Sequence, residues 1–485
     1  MTNASLRVLF LAAEAEPFIK IGGLGDVAGS LPRALKQIAP MDEGGVDIRL
    51  AIPFHGAIQQ KNFPTRSVAT FSVPSTKGPV EAEVLAMQQA ELPVYFISGP
   101  PIRPESPIYS TDAHADGYKF TFFSLASLEF LRRIDWIPHI VHANDWHTAP
   151  AVYALDLDRR QKGSFKHTAT ILGLHNLPYL GVGTEDALQL FGLPPALNST
   201  LPEWARSLPL PLGLNSADRI VAVSPTYAKE ILTPEFGSGL NDFLRTRAAS
   251  ISGILNGIDT ETWNPEIDPS LPANYSLDNL TARDHNKTVL QKELSLTVDP
   301  RLPLFGMVSR MDNQKGVDLV PDAFRKIARR PWQAVILGTG DAAIEAAVRR
   351  LETEFPERVR AAIRFDAALS RRIFGGVDAL LIPSRYEPCG LTQMIAMRYG
   401  CIPIARATGG LRDTIVDFKR PDRSTGFLFH KASAEAFART LRRSINAYQN
   451  PEDWREIQKR GMSQDFSWEH SARQYRALYR ALSRT

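Results

Sequence analysis

Hydrophobic residues along this chain come in short blocks that alternate with stretches of helical spacing. Leu6 to Ala13 is one apolar run, and Ile48 to Ile52, Val94 to Ile97 and Ile140-Val141-His142 are others. Runs this short predict strands buried on both faces. Between them, Val27, Leu31, Leu35 and Ile38 recur at helical spacing, and Phe120 to Leu131 reads as an amphipathic helix. Further strands are predicted at Ala169–Leu172, within Ala217–Pro225, and at Leu304–Ser309, Ala334–Leu337, Ala379–Ile382 and Ile402–Ala405. Helices are predicted at Leu369–Phe374, Leu391–Tyr399 and Trp468–Leu482, the last with Tyr475, Leu478, Tyr479 and Leu482 on one face. Repetition of strand and helix predicts an α/β protein with a mainly parallel sheet covered on both sides.

The chain has 485 residues, too many for one core; at roughly 150 residues per domain, two or three are expected. Trp263-Asn264-Pro265, Asp268-Pro269 and Leu271-Pro272 read as the irregular crossing between domains. With 44% hydrophobic and 22% charged residues the composition is that of a soluble globular protein. A net charge of +4, with Lys and Arg in no long block, implies no nucleic-acid partner. Two cysteines, Cys389 and Cys401, are too few for a disulfide framework and favour a reducing compartment. Arg7, the run Val8–Ala13 and then Ala13-Glu14-Ala15 have the outline of a signal peptide. That run is shorter than the roughly seven to fifteen apolar residues such a peptide needs. No stretch approaches the roughly eighteen of a membrane span, so a cytoplasmic protein without a membrane partner is expected.

Several strand ends carry candidate chemistry. Lys20-Ile21-Gly22-Gly23-Leu24-Gly25-Asp26 follows the first strand, with glycines that permit close backbone approach and Asp26 as a candidate N-cap. Its spacing is neither a Walker loop nor a dinucleotide fingerprint. His142-Ala143-Asn144-Asp145-Trp146-His147 holds metal-competent side chains but has no matching distal cluster. His175-Asn176 follows another strand and by itself reads as a turn. Arg310 and Lys315 follow Leu304–Ser309, and Gly338-Thr339-Gly340-Asp341 and Thr408-Gly409-Gly410 follow later ones. The most informative stretch is Pro383 to Gly400, P-S-R-Y-E-P-C-G-L-T-Q-M-I-A-M-R-Y-G, which sets Glu387 and Gly390 between a strand's carboxyl end and a helix's amino end. Open α/β sheets bind ligands there, and helix-start amides attract anions.

That stretch, with Lys-x-Gly-Gly-Leu at residues 20–24, closely resembles bacterial glycogen synthases and plant starch synthases, and five or six such motifs occur in the family's order. The resemblance covers nearly the whole chain. It implies the GT-B architecture, two Rossmann-like doubly wound domains facing across a cleft. Residues 1–258 would be the N-terminal, acceptor-side domain and 259–464 the nucleotide-sugar domain, with 465–485 a helix returning to the first. It implies a retaining glucosyltransferase that extends an α-1,4-glucan such as glycogen from ADP-glucose, without metal or pyridoxal phosphate. Catalytic roles fall to His175, Glu387, Arg310 and Lys315. Donor contacts fall to Lys20, Gly22, Gly23, Asn176, Asn256, Phe365, Cys389, Gly390, Leu391 and Thr392. Asp26 and Asp145 are assigned acceptor or sugar contacts. Phe365 would stack on the base, with an ordinary core phenylalanine as its alternative.

Departures lie on the acceptor side. Leu180 stands where glutamine is usual, Lys119 where arginine is common, and Pro209–Leu214 lacks a lysine-alanine-glycine run. Ile395, where related retaining enzymes often carry a second glutamate, is no departure, since its absence fits the glycogen synthase group. Three other readings remain open: a UDP-glucose-using synthase, a glucan phosphorylase, which would need pyridoxal phosphate on a lysine, and a non-catalytic glucan-binding paralogue. The paralogue would be expected to lose Lys20, Arg310, Lys315 or Glu387, and all are present.

Overall fold

A computed structural model of the chain describes residues 5–38, 45–420 and 422–483. Its strands are β1 Leu6–Leu11, β2 Val46–Pro53, β3 Arg66–Val73, β4 Val80–Gln89, β5 Leu92–Ser98, β6 Ile140–Asn144, β7 Ala169–Leu174, β8 Arg219–Ala222 and β9 Ile251–Gly253 in one sheet. The second sheet holds β10 Leu304–Val308, β11 Gln333–Gly338, β12 Val359–Ile363, β13 Ala379–Ile382, β14 Ile402–Arg406 and β15 Phe427–Phe429. Contacts divide the chain into two compact units, one running to Gly257 and resuming at Ser467, the other Ile258–Phe466.

In the first unit the strand order is β3-β4-β5-β2-β1-β6-β7-β8-β9. Pairing is parallel except β3 with β4 and β4 with β5. Side chains alternate faces along a strand, so Val8 and Phe10 of β1 enter one core cluster while Leu9 and Leu11 enter the other. Helix Gly23–Gln37 covers the first face, joined there by Trp468, Tyr475, Tyr479 and Leu482 of the terminal helix Trp468–Leu482. Helix Ala113–Arg133 supplies Phe122, Phe123 and Phe130 to the opposite face.

In the second unit the order is β12-β11-β10-β13-β14-β15, parallel throughout, over a core containing Phe305, Ile336, Leu381, Phe437 and Trp454. Chain order reverses beside β1 in one sheet and beside β10 in the other. Such switch points open a crevice beyond the strands' carboxyl ends. The sequence motifs after β1, β6, β7, β10, β13 and β14 all lie at those ends.

One expectation is corrected. The first helix starts at Gly23, earlier than the apolar spacing indicated, and its N-cap is Gly22. Asp26 is therefore in the first helical turn and not a cap.

Candidate active site

The first cluster begins with Glu14, just past β1 and 2% exposed. A carboxylate there needs hydrogen bonds to offset burial. It accepts from the amide of Ile21 and from that of Gly22 at 3.2 Å, and it bonds to the Tyr109 hydroxyl. Burial still pushes the Glu14 carboxyl above its ordinary value, against the opposing pull of those bonds. The glycine loop is thus pinned from beneath. A side chain on Gly25 or Gly29 would press on Lys20 or on the Glu16 carbonyl, whereas Gly23 faces open space.

Lys20 places Nζ 2.6 Å from Asp26 Oδ1 and 3.4 Å from Glu16 Oε2. Burial alone would lower its pKa, but Asp26 and Glu16 outweigh it and hold the ammonium above the usual lysine value. Lys20 is a retained cation on an exposed loop.

A second group surrounds the end of β6 and β7. Asn144 Nδ2 donates to the Leu11 carbonyl at 2.8 Å, which turns Asn144 Oδ1 toward His175 Nε2, also at 2.8 Å. Nε2 must then carry the proton. The His175 pKa is lowered by burial, with Asp145 opposing, so the ring is neutral with Nδ1 as its acceptor. Gly173 leaves room for this arrangement, since a Cβ there would lie 2.5 Å from Asn144 Oδ1.

Asp145 has φ +54, in the left-handed region, at the start of helix Asp145–Arg160. Its Oδ1 accepts from the amides of His175 at 2.8 Å and Asn176 at 3.2 Å. The contact found for Asp145 is this brace on the His175-Asn176 turn. Burial raises its pKa, opposed by His175 and the two amides. The three side chains of the His142–His147 string part company: His142 Nδ1 meets the Tyr479 hydroxyl at 2.7 Å, and His147 packs against Trp146 and Phe120. Asn176 and Asn256 each hold a buried Oδ1 without a protein partner. Lys119 lies inside the unit, donating to the carbonyls of Pro107 and Ile108 and to Asp116. It supports the loop that carries Tyr109.

In the second unit, Lys315 Nζ reaches both oxygens of Glu387, at 2.8 and 2.7 Å, and the Ser384 hydroxyl donates to Glu387 Oε2 at 2.8 Å. Glu387 is 8% exposed, and this pairing joins the end of β10 to the end of β13. Arg310 is largely exposed, with Asp312 at 3.4 Å. Phe365 is 88% exposed, which overturns its core alternative. Cys389 is buried and forms no disulfide.

Gly390 has φ +72, and Leu391 follows at φ −96, ψ −27. A left-handed residue followed by a right-handed one turns successive amides to one side, forming an anion-binding nest. Thr392 opens helix Thr392–Arg398, which has no side-chain cap on its amides. Among the described residues, Lys20, Gly22, Gly23, Asp26, His175, Asn176, Asn256 and Asp145 belong to the first unit. Arg310, Lys315, Phe365, Glu387, Cys389, Gly390, Leu391 and Thr392 belong to the second.

Sequence reading passed over Glu14, Asn144, Tyr109 and Ser384 as site residues. Glu14 left a signal, a carboxylate ending an otherwise apolar run. Asn144 left none, because its partners Leu11 and His175 are distant in sequence. Ser384 lies only three residues from its partner Glu387, but a serine after a strand reads equally well as a turn residue.

The starch synthase catalytic domain family matches residues 7–246, and the glycosyl transferases group 1 family matches residues 293–461. The chain is 39% identical to a glycogen synthase of Anaeromyxobacter dehalogenans (strain 2CP-1 / ATCC BAA-258) over 484 residues, 99% of each chain. It is 38% identical to the glycogen synthase of Lactiplantibacillus plantarum over 99% of this chain and 100% of that one. Among solved structures it is similar to the catalytic domain of starch synthase IV from Arabidopsis thaliana bound to ADP and acarbose. That match has a TM-score of 0.88 and 33% identity, covering 99% of this chain and 100% of that one. A sucrose-phosphate synthase from Thermosynechococcus elongatus, 18% identical with a TM-score of 0.61, shares the fold. The two parallel-sheet, Rossmann-like domains are those of the GT-B fold, and the chain belongs to the glycogen synthase and starch synthase family of glycosyltransferases.

Proposed function

We propose that this protein transfers glucose, with retention, from ADP-glucose to the non-reducing end of an α-1,4-glucan. The observation that carries the reading is the Lys315–Glu387–Ser384 cluster beside the Gly390-Leu391 nest. It puts a cation, an oriented carboxylate and anion-facing amides at a strand-end crevice. Kinship at 39% identity over essentially the full length supports the assignment, as does a starch synthase relative that binds ADP and acarbose.

In the transfer, the bond from glucose C1 to the β-phosphate oxygen breaks and its electron pair stays on ADP. Negative charge grows there, so groups aimed at the diphosphate lower the barrier more than groups that bind ground and transition state alike. Arg310 and Lys315 supply cations, and the amides of Gly390, Leu391 and Thr392 supply oriented dipoles. Lys20 and the Gly22-Gly23 backbone make further donor contacts, Phe365 stacks on the base, and Asn256 and Cys389 line the donor site. Glu387, tied to Lys315, orients glucose hydroxyls. Asn176 binds another hydroxyl, and the neutral His175 lies at the anomeric carbon. The acceptor O4 bonds to C1 on the same face, giving its proton to the departing phosphate oxygen. Asp26 and Asp145 act on the acceptor side through the loops they hold. These basic groups neutralise the diphosphate without a metal, and a cytoplasmic site of action suits two reduced, buried thiols.

The test is incubation of purified protein with glycogen and ADP-glucose or UDP-glucose in chelator, measuring nucleotide release and glucose incorporated. Incorporation from ADP-glucose is expected. Faster incorporation from UDP-glucose would reassign the donor, and glucan binding without incorporation from either would leave a binding protein.

A further inference from the structure

Gln393, in the first turn of helix Thr392–Arg398, is fully buried and has no role in the proposed chemistry. Its Nε2 lies 3.1 Å from the Cys389 carbonyl, 2.7 Å from the Gly390 carbonyl and 3.2 Å from Thr414 Oγ1. With acceptors on every side of that atom, the amide orientation is forced. The Thr414 hydroxyl donates onward to the Gly410 carbonyl at 2.7 Å. Gln393 Oε1 is left buried without a partner, and a Cβ on Gly390 would lie 2.4 Å from it. Folding alone does not reward an unpaired buried acceptor, so its retention calls for an explanation.

We infer that Gln393 is a positioning residue that holds the Gly390-Leu391 amides toward the donor diphosphate by drawing the Cys389 and Gly390 carbonyls inward. These peptide bonds are trans, and in a trans peptide the N–H points opposite to the C=O. Fixing the Cys389 carbonyl therefore aims the Gly390 amide outward, and fixing the Gly390 carbonyl does the same for Leu391. The other side of the loop is fixed by the Gly410 amide, 3.2 Å from the carbonyls of Glu387 and of Pro388. There the lack of side chains on Gly409 and Gly410 permits contact, since a Cβ on either would fall 2.0 Å from a loop carbonyl oxygen. The loop is clamped by its carbonyls, and its amides are what it presents.

This inference rests on the donor reading above. Gln393→Met keeps the volume and removes the donor. ADP affinity of the variant should fall about tenfold, the scale of one or two lost charge-assisted contacts, while affinity for adenosine, which has no phosphate, stays within twofold. A general loss of structure would weaken both alike, and that result overturns the inference, as does unchanged ADP affinity. Should Gln393→Met not fold, residue-resolved hydrogen exchange of the unaltered protein decides. ADP should slow exchange at Gly390 and Leu391 and adenosine should not; equal rates with and without ADP overturn the inference. Failure of the unaltered protein to bind ADP or transfer glucose would remove the donor reading itself, a distinct outcome.

Discussion

The two candidate clusters sit at equivalent places in their sheets yet are built differently. Around β1, β6 and β7, apart from the exposed Lys20 and its partners Asp26 and Glu16, the polar groups are buried, and most are answered by backbone amides or by a neutral side chain. Glu14 is met by Ile21 and Gly22, Asp145 by His175 and Asn176, and His175 by Asn144. Around β10 and β13, formal charges answer one another, Lys315 with Glu387 and Arg310 with Asp312, and the lysine and arginine stay partly or largely exposed. The first arrangement is rigid because breaking it strands a buried group. The second can exchange partners when an anion arrives. Geometry in the first unit is therefore tied to stability, and charge in the second is nearly independent of it.

The sharpest way to break this contrast is to remove a charge from the second unit. Lys315→Ala should lower kcat/KM by about a thousandfold, as loss of a strong electrostatic contact to the transition state does. The melting temperature should move by no more than a few degrees, since the ammonium is partly exposed and the Ser384 hydroxyl still meets the buried Glu387, which can also take up a proton. A collapse of stability in calorimetry would show that the Lys315–Glu387 pair is structural.

Next in size is Asn144→Leu, which releases the proton position of His175 and leaves the Leu11 carbonyl unpaired. Activity should fall by about ten- to a hundredfold, together with a loss of about 1–3 kcal/mol in stability from the orphaned buried group. Denaturant unfolding alongside kinetics reads both, and loss of activity alone would make the two sites alike.

The smallest effect is in pH. Burial, helped by the neighbouring His175, depresses the His142 pKa to about 3. Between that value and about 6.5 the unfolded chain binds the proton and the folded chain does not. The stability His142 contributes is whole above pH 6.5 and is lost as pH falls toward 3. His55, held at about 4 chiefly by burial, acts in the same sense. The raised carboxyls Glu14 and Asp145 have the opposite sign, gaining stability as pH falls through their folded values. Comparison with a His142→Leu variant isolates one histidine: as pH falls below about 6 the unaltered protein should lose stability more steeply than the variant. Parallel pH curves would place the His142 imidazole in contact with water.

How far the sequence disclosed all this follows from the same contrast. Continuous apolar runs marked most of the parallel strands, though not β9, β12 or β15, and the chemistry stood at strand ends because the fold puts ligands there. Antiparallel β3 and β4 went unread: in β4 the buried Ala82, Val84 and Ala86 are small or interrupted by Glu81 and Glu83, a weaker pattern than a solid block. The charged residues of the second cluster were legible through the family resemblance, since by themselves Arg310 and Lys315 read equally as a solvated basic pair. Asn144 and Gln393 were silent, since nothing local tells an amide that braces a loop from one that meets solvent. Asp26 was misread as a cap because the apolar spacing hid a helix beginning among glycines.

The helix Trp468–Leu482 has a consequence for how the molecule is made. It completes the core beside Gly23–Gln37, and its Tyr479 hydroxyl is the partner of His142. Some two hundred residues of the second unit lie between them in the chain, so a ribosome releases the first unit's lid only after synthesising the whole of its neighbour. During that interval the surface awaiting Trp468, Tyr475 and Tyr479 is uncovered. The usual order, in which the domain made first also finishes first, is closed to this protein: its amino-terminal half is the first to begin folding and among the last to be done.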